Sequence, residues 1–186
     1  MSIPERVLAH QSGAILFTGN NNKVVMHENT VMREGSIRMG HGCSFVSGAN
    51  VRLMHIEVVA TRDGHVTIGE RSGFTWQTKV FLLEPGRITL GAGCLIAGET
   101  LLTNSDMHSI IEIETGARIN PAEDITLGAR VWLGAGASLM KGCVIGAGSI
   151  IGYGSLVTGH IPENCMAAGV PAKVIRTGIS WRFDLI

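Results

Sequence analysis

The chain has 186 residues, with fifteen basic residues balanced by fifteen acidic ones. That length suits a single domain, and the even balance excludes the basic field that nucleic acid or an anionic membrane would need. Charged residues make up 16% and hydrophobic ones 45%, with 25 Gly and few aromatics. This fits a solenoid filled with Val, Ile and Leu better than a helical bundle.

Residues 1–22 read as an N-terminal cap, 23–162 as a repeat body and 163–186 as a C-terminal strand and tail. The start, Met-Ser-Ile-Pro-Glu-Arg, has no basic segment leading into an apolar run, so no signal peptide and a cytoplasmic location are expected. From about residue 20, apolar residues recur every six positions. Val25, Val31, Ile37 and Cys43 suggest one register, and Ile68, Phe74 and Val80 share another. Leu90, Ile96 and Leu102 form a third, whose next slot holds His108. Leu127, Leu133, Leu139, Ile145, Ile151 and Val157 complete the pattern. A period of six matches neither a 3.6-residue helix nor a two-residue strand alternation. It matches one flat side of a triangular coil, with an aliphatic residue at each corner packing inward. Three phrases repeat a strand and then a turn: Val66-Thr-Ile68-Gly, Ile88-Thr-Leu90-Gly and Ile125-Thr-Leu127-Gly.

The step from His108 to Leu127 is 127 − 108 = 19, so the phase slips by one across residues 109–126. That segment is richer in charge and is predicted to be a loop extruded from the prism, the kind of long loop that often carries function.

Gly142 to Pro162 has no charged residue and the length of a membrane span. Its glycines and its unbroken six-residue phase mark it as a solenoid wall instead. Cys43, Cys94, Cys143 and Cys165 have no CxxC spacing and read as small apolar fillers in a reducing compartment. Gly146-Ala-Gly148 and Gly152-Tyr-Gly154 lack the strand–helix context of a dinucleotide loop. Ala172-Lys-Val-Ile-Arg is predicted to be a short strand. The alternation of Ile179, Trp181, Phe183 and Leu185 with polar residues predicts an edge strand with one apolar face.

The hexads with Val131-Trp132-Leu133-Gly134-Ala135, the Asp106-Met107-His108 triplet and Ala167-Ala168-Gly169-Val170-Pro171-Ala172-Lys173-Val174-Ile175-Arg176 resemble the hexapeptide-repeat acyltransferases. With Thr115-Gly116-Ala117-Arg118-Ile119-Asn120-Pro121, the likeness is greatest to enzymes that O-acetylate bacterial surface polysaccharides, including polysialic acid. The resemblance implies an all-β fold, a left-handed parallel β-helix, assembled as a homotrimer with active sites between subunits. It implies acetyl-CoA as acyl donor, no metal, and a sugar or polysaccharide acceptor.

Carried onto this chain, the resemblance makes His108 the general base. A sugar hydroxyl hardly attacks a thioester until its proton is removed, and imidazole titrates close to neutrality. The alternative is an ordinary core histidine. Asp106 either orients the imidazole or serves as a turn residue in Asn104-Ser105-Asp106. Trp132, at a variable and so outward position, is a wall for the pantetheine arm or the sugar, or else subunit packing. Ala135, Tyr153 and Thr158 are placed along the CoA groove, with Lys173 and Arg176 near its phosphates. Tyr153 and Gly159 depart from the family pattern, where Ala and Lys are usual.

Three other readings compete. The acceptor could be a small hydroxylated molecule. A γ-carbonic-anhydrase-like metalloenzyme needs three converging His, yet His10, His27, His41, His55, His65, His108 and His160 contain no His-x4-His pair. A non-catalytic scaffold would leave His108 unexplained.

Overall fold

The computed structural model describes residues 12–186, and among these it contains strands and turns but no helix. The start of the expected cap, with the Met1–Arg6 segment and His10, lies outside the described residues. The strands, numbered in chain order, stack into three flat walls. Wall A is a seven-stranded sheet: β2 (Lys23–Met26), β4 (Ser44–Ser47), β7 (Gly64–Ile68), β10 (Gly86–Leu90), β13 (Ile125–Leu127), β16 (Val144–Ile145) and β19 (His160–Ile161). Wall B begins with the first half of β3 (Val31–His41). It continues through β5 (Arg52–Met54), β8 (Gly73–Phe74), β11 (Leu95–Ile96), β14 (Trp132–Leu133), β17 (Ile150–Ile151) and β20 (Cys165–Gly169). Wall C holds β1 (Ser12–Phe17), the second half of β3, β6 (Ile56–Arg62), β9 (Thr78–Leu82), β12 (Leu101–Thr103), β15 (Ser138–Leu139) and β18 (Leu156–Val157). All these pairings are parallel, so each turn of the chain advances one strand spacing, about 4.8 Å. The antiparallel β21 (Ala172–Thr177) folds back on β20 and closes wall B.

The regular hexads pack inward as expected: Leu127, Leu133, Leu139, Ile145, Ile151 and Val157 are all buried. The repeated phrases stack in register on wall A, with Ile88 opposite both Val66 and Ile125, and Leu90 opposite Ile68 and Leu127. The glycine that follows four of these six aliphatics has a steric cause. A Cβ on Gly128 would lie 2.5 Å from Ala147 N in the next coil, closer than real atoms come.

The early coils differ from the expected register. Val25 and Val31 face outward, while Val24, Met26 and Met32 fill the core. In these coils successive rungs are 21 or 22 residues apart, as in Lys23–Ser44 and His65–Arg87, against 18 for Thr126–Val144. Longer strands alternate in and out by two, so a count of six loses phase. Stacking also reaches back to Ser12, because β1 already pairs with β3.

The four cysteines are buried and free, and burial pushes the Cys143 thiol up to about 12. Residues 142–162 form wall strands and turns, and no helix among the described residues is long and apolar enough to cross a membrane. The expected final edge strand does not form. After Thr177 the tail runs without strand pairing, because Trp181 turns onto wall B. Its indole N–H donates to Arg130 O at 2.6 Å, and the Arg130 guanidinium donates back to Trp181 O at 2.7 Å.

Candidate active site

At the corner between walls C and A the chain leaves the solenoid after Thr103 and returns at Ile125. The excursion therefore covers 104–124, starting ahead of the expected residue 109. His108 consequently does not occupy an aliphatic core slot, since the coil has already ended. It stands exposed on the excursion. Buried Asn104 and Ser105 make the exit, and the Ser105 hydroxyl donates to Glu84 Oε1 at 2.5 Å.

The excursion is held from both sides. Its tip is a small hairpin bridged at Ile111 and Arg118. Above it, at the same corner one coil earlier, Glu84 takes both Arg118 Nη atoms, at 2.6 and 2.7 Å. Below it, Lys141 contacts Asp106 Oδ2 at 2.6 Å and Pro121 O at 3.0 Å. Buried Asn120 joins the two. Its Nδ2 donates to His108 O at 2.9 Å and to Asp106 Oδ2 at 2.8 Å. Its Oδ1 accepts from Ile110 N at 2.7 Å and from Arg118 Nε at 3.3 Å. The backbone is thus pinned on both sides of His108, while among the described residues the imidazole itself makes no hydrogen bond.

The charges of this network stabilise one another. The Arg118 hydrogen bonds, and then that of Ser105, hold the Glu84 carboxyl down at about 2. The Lys141 hydrogen bond, and then that of Asn120, holds Asp106 below its usual value. A carboxylate depressed in the folded state adds stability that is fully present above its unfolded pKa and is lost as pH falls through the folded value. Anchoring by Glu84 is therefore expected to be complete above about pH 5, to decline below it, and to be gone near pH 2. Pepsin should cleave within 104–124 slowly at about pH 4 and quickly at about pH 2. Glu84→Gln should be cut quickly at both.

The other expected site residues fall into separate places. Asp106 is engaged by Lys141 and Asn120, and no hydrogen bond joins its carboxylate to the His108 ring. Trp132 points outward from wall B, half-buried, with its ring 6.0 Å from that of Trp181. Ala135 and Tyr153 stack at the corner between walls B and C, where Gly154 N donates to Ala135 O at 2.9 Å and Tyr153 is 81% exposed. Lys173 and Arg176 lie exposed on β21. Thr158 is exposed at the corner between walls C and A, two coils below the departure of the excursion. Within one chain, His108 and Thr158 thus share one corner, Ala135 and Tyr153 share another, and Trp132 stands on the wall between walls A and C. Among the described residues no group of three or more His, Cys, Asp or Glu is placed to hold a metal ion.

Residues 124–159 match the family model described as bacterial transferase hexapeptide (six repeats). Polysialic acid O-acetyltransferase of Escherichia coli O1:K1 / APEC is 42% identical over 125 residues, covering 67% of this chain and 40% of that protein. Polysialic acid O-acetyltransferase of Neisseria meningitidis is 30% identical over 116 residues, covering 62% and 54%. The crystal structure of the polySia-specific acetyltransferase NeuO superposes with a TM-score of 0.90 at 34% identity, over 98% of this chain and 76% of that one. The chain belongs to the hexapeptide-repeat O-acetyltransferases. Its solenoid is accordingly the left-handed β-helix of that family. The chain spans 40% and 54% of the lengths of these two curated relatives.

Sequence reasoning missed Glu84, Lys141 and the roles of Arg118 and Asn120 within this family fold. Glu84 and Lys141 sit at turns that carry no motif, and only stacking of coils brings them to the excursion. Asn120 had a signal: an amide side chain before a proline, inside the segment that breaks the repeat.

Proposed function

We propose that the chain acts as an acetyl-CoA-dependent O-acetyltransferase on a sugar hydroxyl of a bacterial surface polysaccharide, with His108 as general base. The observation that carries this reading is the clamp around His108. An exposed imidazole with no partner among the described residues rides on a backbone pinned at His108 O and Ile110 N. A fixed, unencumbered base is what proton abstraction from a neutral hydroxyl requires. The imidazole takes the hydroxyl proton as the oxygen attacks the acetyl carbonyl carbon. The tetrahedral adduct collapses, the C–S bond breaks, and the CoA thiolate leaves and is protonated. Transfer is direct, with no acetyl-enzyme, and the four buried cysteines lie inside the solenoid and out of reach.

The residues present suit CoA as donor substrate. Open space lies beside Tyr153, where a Cβ on Gly154 would touch nothing within 4 Å. Lys173 and Arg176 are exposed, with no acidic partner among the described residues, and are free to meet phosphates. The division of the site residues between two corners and wall B supports a homotrimer. One subunit brings His108 and Thr158 to a cleft where its neighbour brings Trp132, Ala135 and Tyr153. The cytoplasm, where acetyl-CoA is made, is the proposed compartment.

Incubation with radiolabelled acetyl-CoA and a panel of acidic polysaccharides, neutral polysaccharides and small hydroxylated molecules tests the reading. Label is expected on a polysaccharide, as an alkali-labile ester, and CoA should raise the melting temperature. Label only on small acceptors would replace the acceptor class. Stabilisation by zinc with none by CoA would remove the acyltransferase reading.

A further inference from the structure

The C-terminal tail makes a contact that catalysis as proposed does not use. After β21 it turns back onto wall B, and among residues 178–186 Trp181 alone is buried, at 5% exposed. Several contacts fix this side chain. Its indole N–H donates to Arg130 O at 2.6 Å, and the Arg130 guanidinium donates to Trp181 O at 2.7 Å. The same guanidinium lies 5.1 Å from the Trp181 ring, within reach of a cation–π attraction. Phe183 meets that ring edge-on at 4.9 Å, and Ile179 N donates to Asn164 O at 3.0 Å. Asn164 and Arg130 stand at the same corner, between walls A and B, two coil steps apart, so the tail is tied down at two heights. Held in this way, Trp181 meets Trp132 with ring centres 6.0 Å apart and planes tilted by 52°.

Trp132 has need of such a neighbour. Its backbone is set by the ladder, with Leu95 and Ile150 in register on either side. Its side chain points out of a flat wall, where the ladder leaves the indole free to lie up or down the column through its rotamers. A tilted pair of aromatic rings prefers one arrangement, so the tail settles what the strand leaves open. Arg130 carries a second sign of this. It holds a left-handed corner position, with φ of 56°, where other coils have Gly93, Gly148 or Asn164. A long side chain is disfavoured there, so its presence two residues before Trp132 points to use in the clamp rather than to folding.

We propose that Trp181 is a positioning residue for the acyl donor: through Trp132 it fixes one wall of the groove that receives acetyl-CoA. The inference rests on the acetyltransferase reading above, with CoA at the corner of Ala135 and Tyr153. Trp132 lies three residues before Ala135 on the same coil, and its ladder partner Ile150 lies three residues before Tyr153. Trp181 is too buried to touch the donor itself, so it acts through Trp132. A loose indole would have to be ordered each time the donor binds, which weakens affinity by about three- to tenfold. An indole held in advance removes that loss.

Calorimetric titration of the full chain with CoA tests this. Trp181→Leu is expected to weaken CoA binding by about three- to tenfold. Trp181→Phe keeps a ring against Trp132 and should stay within about twofold of the parent. Arg130→Asn places a residue at ease in the left-handed region, so it should keep or raise the melting temperature while weakening CoA binding by about threefold. In a Trp132→Ala background, Trp181→Leu should change the affinity little further, since no indole remains to be held. The two indoles should also give an exciton couplet in circular dichroism, lost in Trp181→Leu and in Trp132→Ala alike, because Trp76 packs against His55 instead. Equal CoA affinity in the parent, Trp181→Leu and Arg130→Asn would overturn the proposal while the donor reading stands. A loss from Trp181→Leu that is undiminished without Trp132 would overturn it too. If the parent itself binds no CoA, the donor reading falls and the proposal falls with it.

Discussion

Replacing His108 by Ala is expected to lower turnover by about 10²–10⁴-fold, the usual contribution of a positioned general base. The fold should hardly notice. The side chain is exposed and makes no hydrogen bond among the described residues, and surface substitutions of that kind stay within about 0.5 kcal/mol. The KM for acetyl-CoA should also stay close to that of the parent, because Tyr153, Lys173 and Arg176 lie on other elements. A drop in kcat at constant donor KM is the signature of a group that acts only in the transition state. Steady-state kinetics on an acceptor identified by label transfer would measure it. Turnover within a factor of about three of the parent would remove His108 from the chemistry and leave the clamp without a purpose.

The regular part of the solenoid was legible because a single period encodes it. Each turn of hexads repeats the same demand for an inward aliphatic and a close-packed glycine, so Leu127 to Val157 could be placed by counting. Counting failed where strand length changed. In β3 and β6 the inward residues alternate by two, and Val25 and Val31 face outward although they keep the six-residue step. It failed again at Asn104, a buried polar residue that carries the chain out of the coil under the appearance of one more hexad. The slip of one residue did mark the right region, because an insertion has no reason to be a multiple of six. What holds that region was not legible. Glu84 and Lys141 reach the excursion from 34 and 20 residues away from their partners Arg118 and Pro121, a relation that only coil stacking creates. Likewise, the alternation after Ile179 resembles a strand, but the pull of Trp181 towards Arg130 and Trp132 decides the path of the tail.

Asn120→Ala should cost about 10²-fold in kcat, through His108 and not by contact with substrate. Asn120 is a positioning residue: its two amide atoms fix His108 O and Ile110 N, so its loss lets the imidazole drift. A displacement of about 1 Å is enough for such a loss. The change also leaves the Ile110 N–H and the His108 carbonyl short of a partner, while Asp106 Oδ2 keeps Lys141, a penalty of about 1–3 kcal/mol confined to the excursion. The solenoid core, built from separate contacts, should melt nearly as before. A purely structural role would give the same rate loss for another reason, and a double mutant separates the two. If Asn120 works by aiming His108, then adding Asn120→Ala to His108→Ala should lower kcat little further, since there is no imidazole left to aim. If the two losses multiply, Asn120 supports something other than the base, such as the hairpin bridged at Ile111 and Arg118. The first outcome would join the hydrogen bonds of the clamp to catalysis, because the double variant would then turn over no more slowly than His108→Ala alone.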